Sequence, residues 1–399
     1  MRKVRSLTVF FLLELTAFAL ALFQMPGGVR TDEAKYLLNI PYPHPPLLRA
    51  FMGWTASMPN HEFFWRVIIA SIVVHGAWLI FDLGEVLTRP RRMALTAAWL
   101  LAAPVILQSG TIVLAVVAGV FGLLFMWYAL HPKSPEIPAL LALLWLMSLF
   151  TVYQSVLYAP LVLYAFVRSR IRLPLILAYF GLPLVLLALY SFTNPLALAS
   201  MANVSVQDVP LPPLERLLRV SWIWLISGSA VVSLAGTVGI LTSSRWDLVT
   251  AFGLIFGFVV LTSQEYYAFL LLPIFIGGTF LLLCRRRLRP GLFIAVEFLA
   301  TIIIVTRLLP IMHTTHARTV MRILRAQSVS GPVLIDGPFG HEWEYESSVP
   351  VLRFSQKLSS DAEAKAQAFV CTKKGCDEDV NLDTWVRLPD APIPVWLRR

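Results

Sequence analysis

The stretch from residue 25 to residue 63 concentrates groups that can do chemistry, reading MPGGVRTDEAKYLLNIPYPHPPLLRAFMGWTASMPNHEF. Asp32 and Glu33 open a short helical pattern that also carries Lys35 and Tyr36, and His44, Arg49, His61, Glu62 and Arg66 follow. A positioned carboxylate can take a proton from a hydroxyl or amine, and gathered cations can hold an anion such as a phosphate. Each residue alone has an ordinary explanation. Thr31-Asp32 at a helix start is a common cap, His44 between prolines packs a turn, and Arg66 at the edge of an apolar run can snorkel. Their company, on one side of a membrane and at similar depth, is what points to a site.

The elements that must position these groups are membrane helices. The chain has 399 residues, of which 57% are hydrophobic and 14% charged, with 3 Cys. Mean hydropathy is +0.72. Those values exclude an ordinary soluble protein, a disordered chain and a disulfide scaffold. The net charge of +10 comes from short cationic clusters between apolar runs, which orient helices and give no reason to expect a nucleic-acid partner.

About eleven apolar segments are legible: 6–24, 64–87, 95–110, 111–130, 137–150, 151–167, 173–192, 220–241, 247–262, 266–284 and 292–309. With the N-terminus in the cytoplasm, inside segments hold 15 Lys and Arg against 6 in the outside loops. That asymmetry makes 25–63 an outside loop. It is apolar enough to lie along the membrane surface, with short interfacial helices at 34–39 and 47–58. The basic start and Ala19-Leu20-Ala21 also resemble a signal peptide, but the length of the apolar run favours a retained helix.

The expected organisation is therefore an all-α polytopic membrane bundle over 1–310 and a small extracytoplasmic α/β domain over 311–399. Helical patterning at 313–327 leads there into short strands at 332–335, 349–354 and 368–371. Cys371 and Cys376 either close a small loop or stay as thiols. Glu14 and Glu297 fall inside predicted spans, where a carboxylate serves function or joins helices. Asp82 and Glu85 flank a cytoplasmic end and read as a solvated face.

Asp32-Glu33-Ala34, Tyr36, His44-Pro45-Pro46-Leu47, Glu62 and Arg66 resemble the first outside loop of polyprenyl-phosphate-sugar glycosyltransferases of the GT-C type. That group includes protein O-mannosyltransferases and the aminoarabinose transferases of lipid A. Gln264-Glu265-Tyr266-Tyr267 and the Leu-rich run to Pro273 are similar to a later outside turn of the family, although an interfacial aromatic belt explains the tyrosines equally well. His44 departs from members that place an acidic or basic residue there.

The resemblance implies transfer of a sugar from a polyprenyl phosphate, such as undecaprenyl phosphate, to a glycan, lipid or protein acceptor. Asp32 is then the general base of an inverting displacement, and Glu33 orients or binds the acceptor. Lys35, His44 and Arg66 face the leaving phosphate, Tyr266 and Tyr267 donate further hydrogen bonds, and Glu265 holds an arginine or a divalent ion. No cofactor is required. Asp32, Glu33, His44, His61, Glu62 and Glu265 offer ligands enough for a divalent metal, without a spacing that demands one. The setting is the cell envelope, with membrane lipids around the bundle and a bacterial inner membrane as the expected location, since no endoplasmic retention signal is present.

The rival readings are a polytopic transporter or flippase of a lipid-linked or anionic substrate, a glycan ligase, and a scaffold that displays the C-terminal domain. Transporters tend to place polar groups at mid-membrane, whereas this chain gathers them in an outside loop.

Overall fold

The computed structural model describes residues 2–40, 45–131, 137–197, 212–285, 289–312, 316–336, 340–354, 360–372 and 383–399. The chain forms two compact units: Met1–Phe23 with Pro41–Leu309, and Gln24–Ile40 with Pro310–Arg399. The outside loop expected at 25–63 is thus divided, and its Asp32-bearing part belongs with the C-terminal residues.

The first unit is helical. Among the described residues, five helices are long and apolar enough to cross a bilayer: Leu7–Gly27, His61–Val86, Leu173–Thr193, Glu265–Arg285 and Pro290–Pro310. At 1.5 Å per residue, 21 residues span roughly 31 Å, the thickness of the hydrocarbon layer. Leu173–Thr193 is only 11% buried and Pro290–Pro310 only 28%, so their Leu, Val, Ile and Phe side chains face outward. Water does not tolerate so continuous an apolar surface, and lipid does. The chain is a multi-pass membrane protein.

The remaining apolar segments are also helical but shorter or interrupted. Leu114–Leu130, Pro138–Thr151 and Trp246–Thr262 are unbroken helices of 10–17 residues. Segment 95–110 divides into Arg89–Leu101 and Ala103–Gln108, and segment 151–167 starts as the 3-10 turn Tyr153–Tyr158 before Ala159–Arg168. Pro213–Ser227 and Val231–Leu241 meet at a bend of 95°.

The two interruptions have local causes. Ala102 is extended, at φ −58° and ψ 133°, just ahead of Pro104, which has no N–H to donate. Ser229 and Ala230 take positive φ values of 50° and 68°, ending one helix before the next begins. Backbone groups freed inside hydrocarbon need other partners. The Ala103 N–H donates to Ser229 Oγ at 2.7 Å, joining one break to the other. From Pro290–Met312, Glu297 Oε2 accepts the Val232 N–H at 3.3 Å, and Thr301 Oγ1 donates to the Leu101 carbonyl at 2.7 Å. Glu297 is fully buried and joins helices, one of the two roles its sequence position allows. Glu14 does likewise, accepting the Ser71 hydroxyl at 2.8 Å with His75 Nε2 3.7 Å away.

Of these five spans Glu265–Arg285, which contains the helix Ala268–Arg285, is the most enclosed, with 83% of its apolar window buried. Its backbone meets that of Val231–Leu241 directly. A Cβ on Gly239 would stand 1.9 Å from the Gly278 carbonyl oxygen, and one on Gly278 would stand 2.1 Å from that of Gly236. Only glycine permits this approach.

The second unit is the α/β layer expected from the sequence. Strands β1 (Val333–Asp336), β2 (Val351–Phe354), β3 (Ala368–Val370), β4 (Trp385–Arg387) and β5 (Val395–Arg398) form a sheet in the order β2-β1-β3-β5-β4. β1 pairs in parallel with β2 and β3, and β5 is antiparallel to β3 and β4. Alternation along the strands serves two faces. Val333, Ile335, Ala368 and Val370 pack with Val320, Met321 and Leu324 of the helix His316–Ala326, while Leu334 and Phe369 pack with Trp385 and Trp396. Cys371 is disulfide-bonded, Cys284 is a free thiol, and Cys376 lies outside the described residues.

Glu297→Leu, which removes the carboxyl that reinforces a Val232 N–H already bonded to the Gly228 carbonyl at 3.0 Å, is expected to destabilise the protein by about 1 kcal/mol, and Glu297→Gln, which keeps an acceptor, by less. Thermal unfolding of the purified protein in detergent checks this. Equal losses would show that the hydrogen bond is not what matters.

Candidate active site

The four candidates nearest the start of the chain lie in the second unit, on the helix Thr31–Leu37. Gly28 before it takes φ 72° and ψ −168°, a backbone state that glycine adopts without penalty. Glu33 turns back on the helix start, where its Oε2 accepts the Arg30 N–H at 2.8 Å, and it is 1% exposed. This is the carboxylate half of a capping box. The capping role that sequence alone offers Asp32 is therefore filled by its neighbour. The Asp32 side chain is 46% exposed, and its Oδ1 accepts from Lys35 Nζ at 3.1 Å, one turn along the helix. A pair this open to solvent holds the carboxylate loosely. Tyr36, four residues along the same helix, is buried.

Arg66, Glu265, Tyr266 and Tyr267 lie in the first unit, and His44 is outside the described residues. Arg66, 1% exposed, donates from Nε to Glu62 Oε1 at 2.8 Å and from Nη1 to the Gly110 carbonyl at 2.7 Å. Within Gln108-Ser109-Gly110, where the sequence places only a thin boundary between apolar segments, the helix Ala103–Gln108 ends and Ser109 and Gly110 begin a short nonhelical stretch. Arg66 supplies a donor to it. The guanidinium is thus charge-compensated by Glu62 and anchored on one flank. His61 is also buried, its Nε2 3.1 Å from the Met52 carbonyl and 3.0 Å from the Trp65 Nε1 that donates to it.

Glu265–Tyr267 forms a 3-10 turn ahead of Ala268–Arg285, after Ser263 at φ 52°. Tyr266 Oη donates to Tyr267 Oη at 3.2 Å, the two rings lie 4.3 Å apart, and Tyr267 meets Phe258 edge-on at 4.7 Å. Glu265 is exposed. The turn therefore presents two coupled hydroxyls on an aromatic base with a carboxylate beside them in sequence.

Of the residues offered as metal ligands, Glu33 caps a helix, Glu62 pairs with Arg66 and His61 packs against Met52 and Trp65. Among the described residues, the group whose ligand atoms converge is another one: Asp82, Glu85 and His131 lie within 4.8 Å of one another. His131 Nε2 is 3.1 Å from Asp82 Oδ2, which also accepts from Trp127 Nε1 at 3.1 Å. Sequence spacing pairs Asp82 with Glu85 on one helix face, but nothing in it couples them to His131.

A cavity of about 390 Å³ lies in the first unit, lined by Leu15, Thr16, Ala19, Leu20, Phe23 and Ile106. Its wall is almost wholly hydrocarbon.

No family model and no curated protein matches the chain. Two cryo-EM structures of the arabinofuranosyltransferase AftD from Mycobacteria, one of them a mutant, are similar to it with TM-scores of 0.47. Identity is 15% and 14% over 91% of this chain, which spans 36% and 35% of the AftD chain.

Arg66→Ala removes the cation paired with the buried Glu62 carboxylate, and a loss of about 3–5 kcal/mol is expected. Adding Glu62→Ala should recover part of it, because the buried charge that faced Arg66 is then gone. Unfolding midpoints of the two single variants and the double variant measure the coupling. Strictly additive losses would show that the pair does not act as a unit.

Proposed function

We propose that this protein is a membrane glycosyltransferase of the polyprenyl-phosphate-sugar type, acting on the extracytoplasmic face, with Asp32 as general base. The observation that carries the reading is the unequal fate of the acidic pair. Glu33 is buried in a helix cap, while Asp32 beside it keeps an accessible carboxylate steadied by Lys35. A structural acidic residue would share the first fate.

In this reading Asp32 removes the proton from the acceptor hydroxyl or amine as that atom bonds to the anomeric carbon. The bond from the anomeric carbon to the phosphate oxygen breaks, its electron pair leaves with the polyprenyl phosphate, and the configuration inverts. Arg66, His44 and Lys35, with the Tyr266-Tyr267 turn, are the groups proposed to meet the charge that grows on that phosphate. In a low-dielectric setting such donors stabilise a transition state far more than they would in water. Glu33 orients the helix, and Glu265 stands by the tyrosines as a holder of cationic partners. The hydrocarbon-lined cavity at Leu15 and Phe23 has the chemistry an isoprenoid tail needs. The same reading takes the shorter apolar helices as further crossings toward a total of about eleven, with the N-terminus in the cytoplasm of a bacterial cell.

One observation favours a second reading. Two helices interrupted beside the buried Glu297 are features that membrane transporters use at their binding sites. Turnover in detergent separates the two, because sugar transfer needs no second compartment and transport does.

Asp32→Asn should reduce sugar transfer by about 10²- to 10⁴-fold without changing membrane insertion or yield. Transfer from lipid-linked sugars extracted from cells lacking the protein provides the assay, and full activity of the variant would remove the base. Arg66→Lys, which keeps the charge but not the fork, should raise KM for the donor and leave acceptor KM unmoved. The reverse pattern would assign Arg66 to the acceptor.

A further inference from the structure

We infer that the helix His341–Glu346 supports the Asp32-bearing segment, with Glu346 and Glu342 as positioning residues for the Asp32 carboxylate; the catalytic part of this rests on the reading of Asp32 as base. The segment Gln24–Ile40 and this helix are separated by some 300 positions yet share one compact unit. The polar contacts between them follow a pattern. Glu346, 8% exposed, accepts on Oε1 from Arg318 Nε at 2.9 Å, from Arg318 Nη2 at 2.7 Å and from the Val29 N–H at 3.4 Å. The other arm of Arg318 donates to the Met25 carbonyl. Glu342 Oε2 accepts the hydroxyl of Thr31, the residue immediately before Asp32. Arg325 donates to the Glu346 carbonyl and ties the end of the supporting helix to His316–Ala326.

Met25, Val29 and Thr31 are thus held in turn along the approach to Asp32, each by a charged side chain. Charge-assisted bonds of this kind are stronger and more directional than neutral ones. The supports are themselves anchored in the sheet core, through Ala317, Val320, Met321 and Leu324 on one helix and Trp343 on the other. By contrast, the seven-residue helix Thr31–Leu37 is too short to persist alone in water. Apolar packing would also keep the segment folded, but it would leave the backbone free to slide. Bonds to a backbone carbonyl, a backbone N–H and the hydroxyl next to the base set where Asp32 stands. A misplacement of about 1 Å at a reacting group can lower a rate by about 10²-fold. The C-terminal unit then has a role in the reaction without touching the substrate.

The test uses the full-length protein in detergent or nanodiscs, with Glu346→Gln, Glu342→Ala, Thr31→Val and Thr31→Ser. Hydrogen exchange followed by mass spectrometry should show amides of 24–40 exchanging about tenfold faster in the first three variants, with the amides of β1 and β3 unchanged. In sugar transfer the same three should lower kcat with donor KM unmoved, and Thr31→Ser, which keeps the hydroxyl, should recover both readouts relative to Thr31→Val. Unchanged exchange over 24–40 overturns the support. Faster exchange in the sheet as well as the segment overturns it too, since Glu346 would then only hold the domain folded. The exchange result does not depend on what Asp32 does. Altered exchange beside a fully active Asp32→Asn would leave the support standing and remove only the base.

Discussion

Inside a bilayer every backbone N–H and C=O must find its partner within the protein, and the helical unit is organised by how it meets that demand where helices stop. Continuous helices satisfy it without help. The breaks at Ala102 and at Gly228–Ala230 do not, and side chains from neighbouring helices act there: Ser229 accepts the Ala103 N–H, Thr301 donates to the Leu101 carbonyl, and Glu297 adds a second acceptor for the Val232 N–H beside the Gly228 carbonyl. Glu14, paired with Ser71, serves as a helix-to-helix tie in the same manner.

The acidic pair in the segment after the first span illustrates how a single step along a helix gives neighbouring residues different surroundings. Adjacent residues on a helix point about 100° apart, so Asp32 and Glu33 cannot share a surroundings. One carboxylate folds back to close the helix start and vanishes from the surface, while the other stays accessible beside Lys35. Neither is special by type. What distinguishes them is the direction that the helix imposes.

Much of the architecture is legible in the amino-acid order. Apolar run length locates the long helices of the membrane unit, since lipid rewards little else, and short apolar runs near 332–335, 349–354 and 368–371 locate β1, β2 and β3. The interruption within 220–241 is not legible, because Gly228-Ser229-Ala230 reads as ordinary small residues in a hydrophobic run and the strain appears only in the φ values. β4 and β5 escape notice because Trp385–Arg387 and Val395–Arg398 are short and mix charge with apolar residues. At the candidate site, Asp32, Lys35, the paired tyrosines and the i,i+4 pair Glu62 and Arg66 stand out by type and order, whereas the contacts of Gln24–Ile40 with Arg318, Glu342 and Glu346 do not. Those contacts join residues that local pattern has no means of relating.

The glycines at 236, 239 and 278 bring two backbones so close that no side chain separates them. Two rods seated without a cushion have no slack for sliding or rolling, so Val231–Leu241 and Ala268–Arg285 behave as one mechanical member. Any lateral opening of the bundle has to form along some other seam, and among the candidate spans Leu173–Thr193 and Leu7–Gly27 are the least encumbered by neighbours.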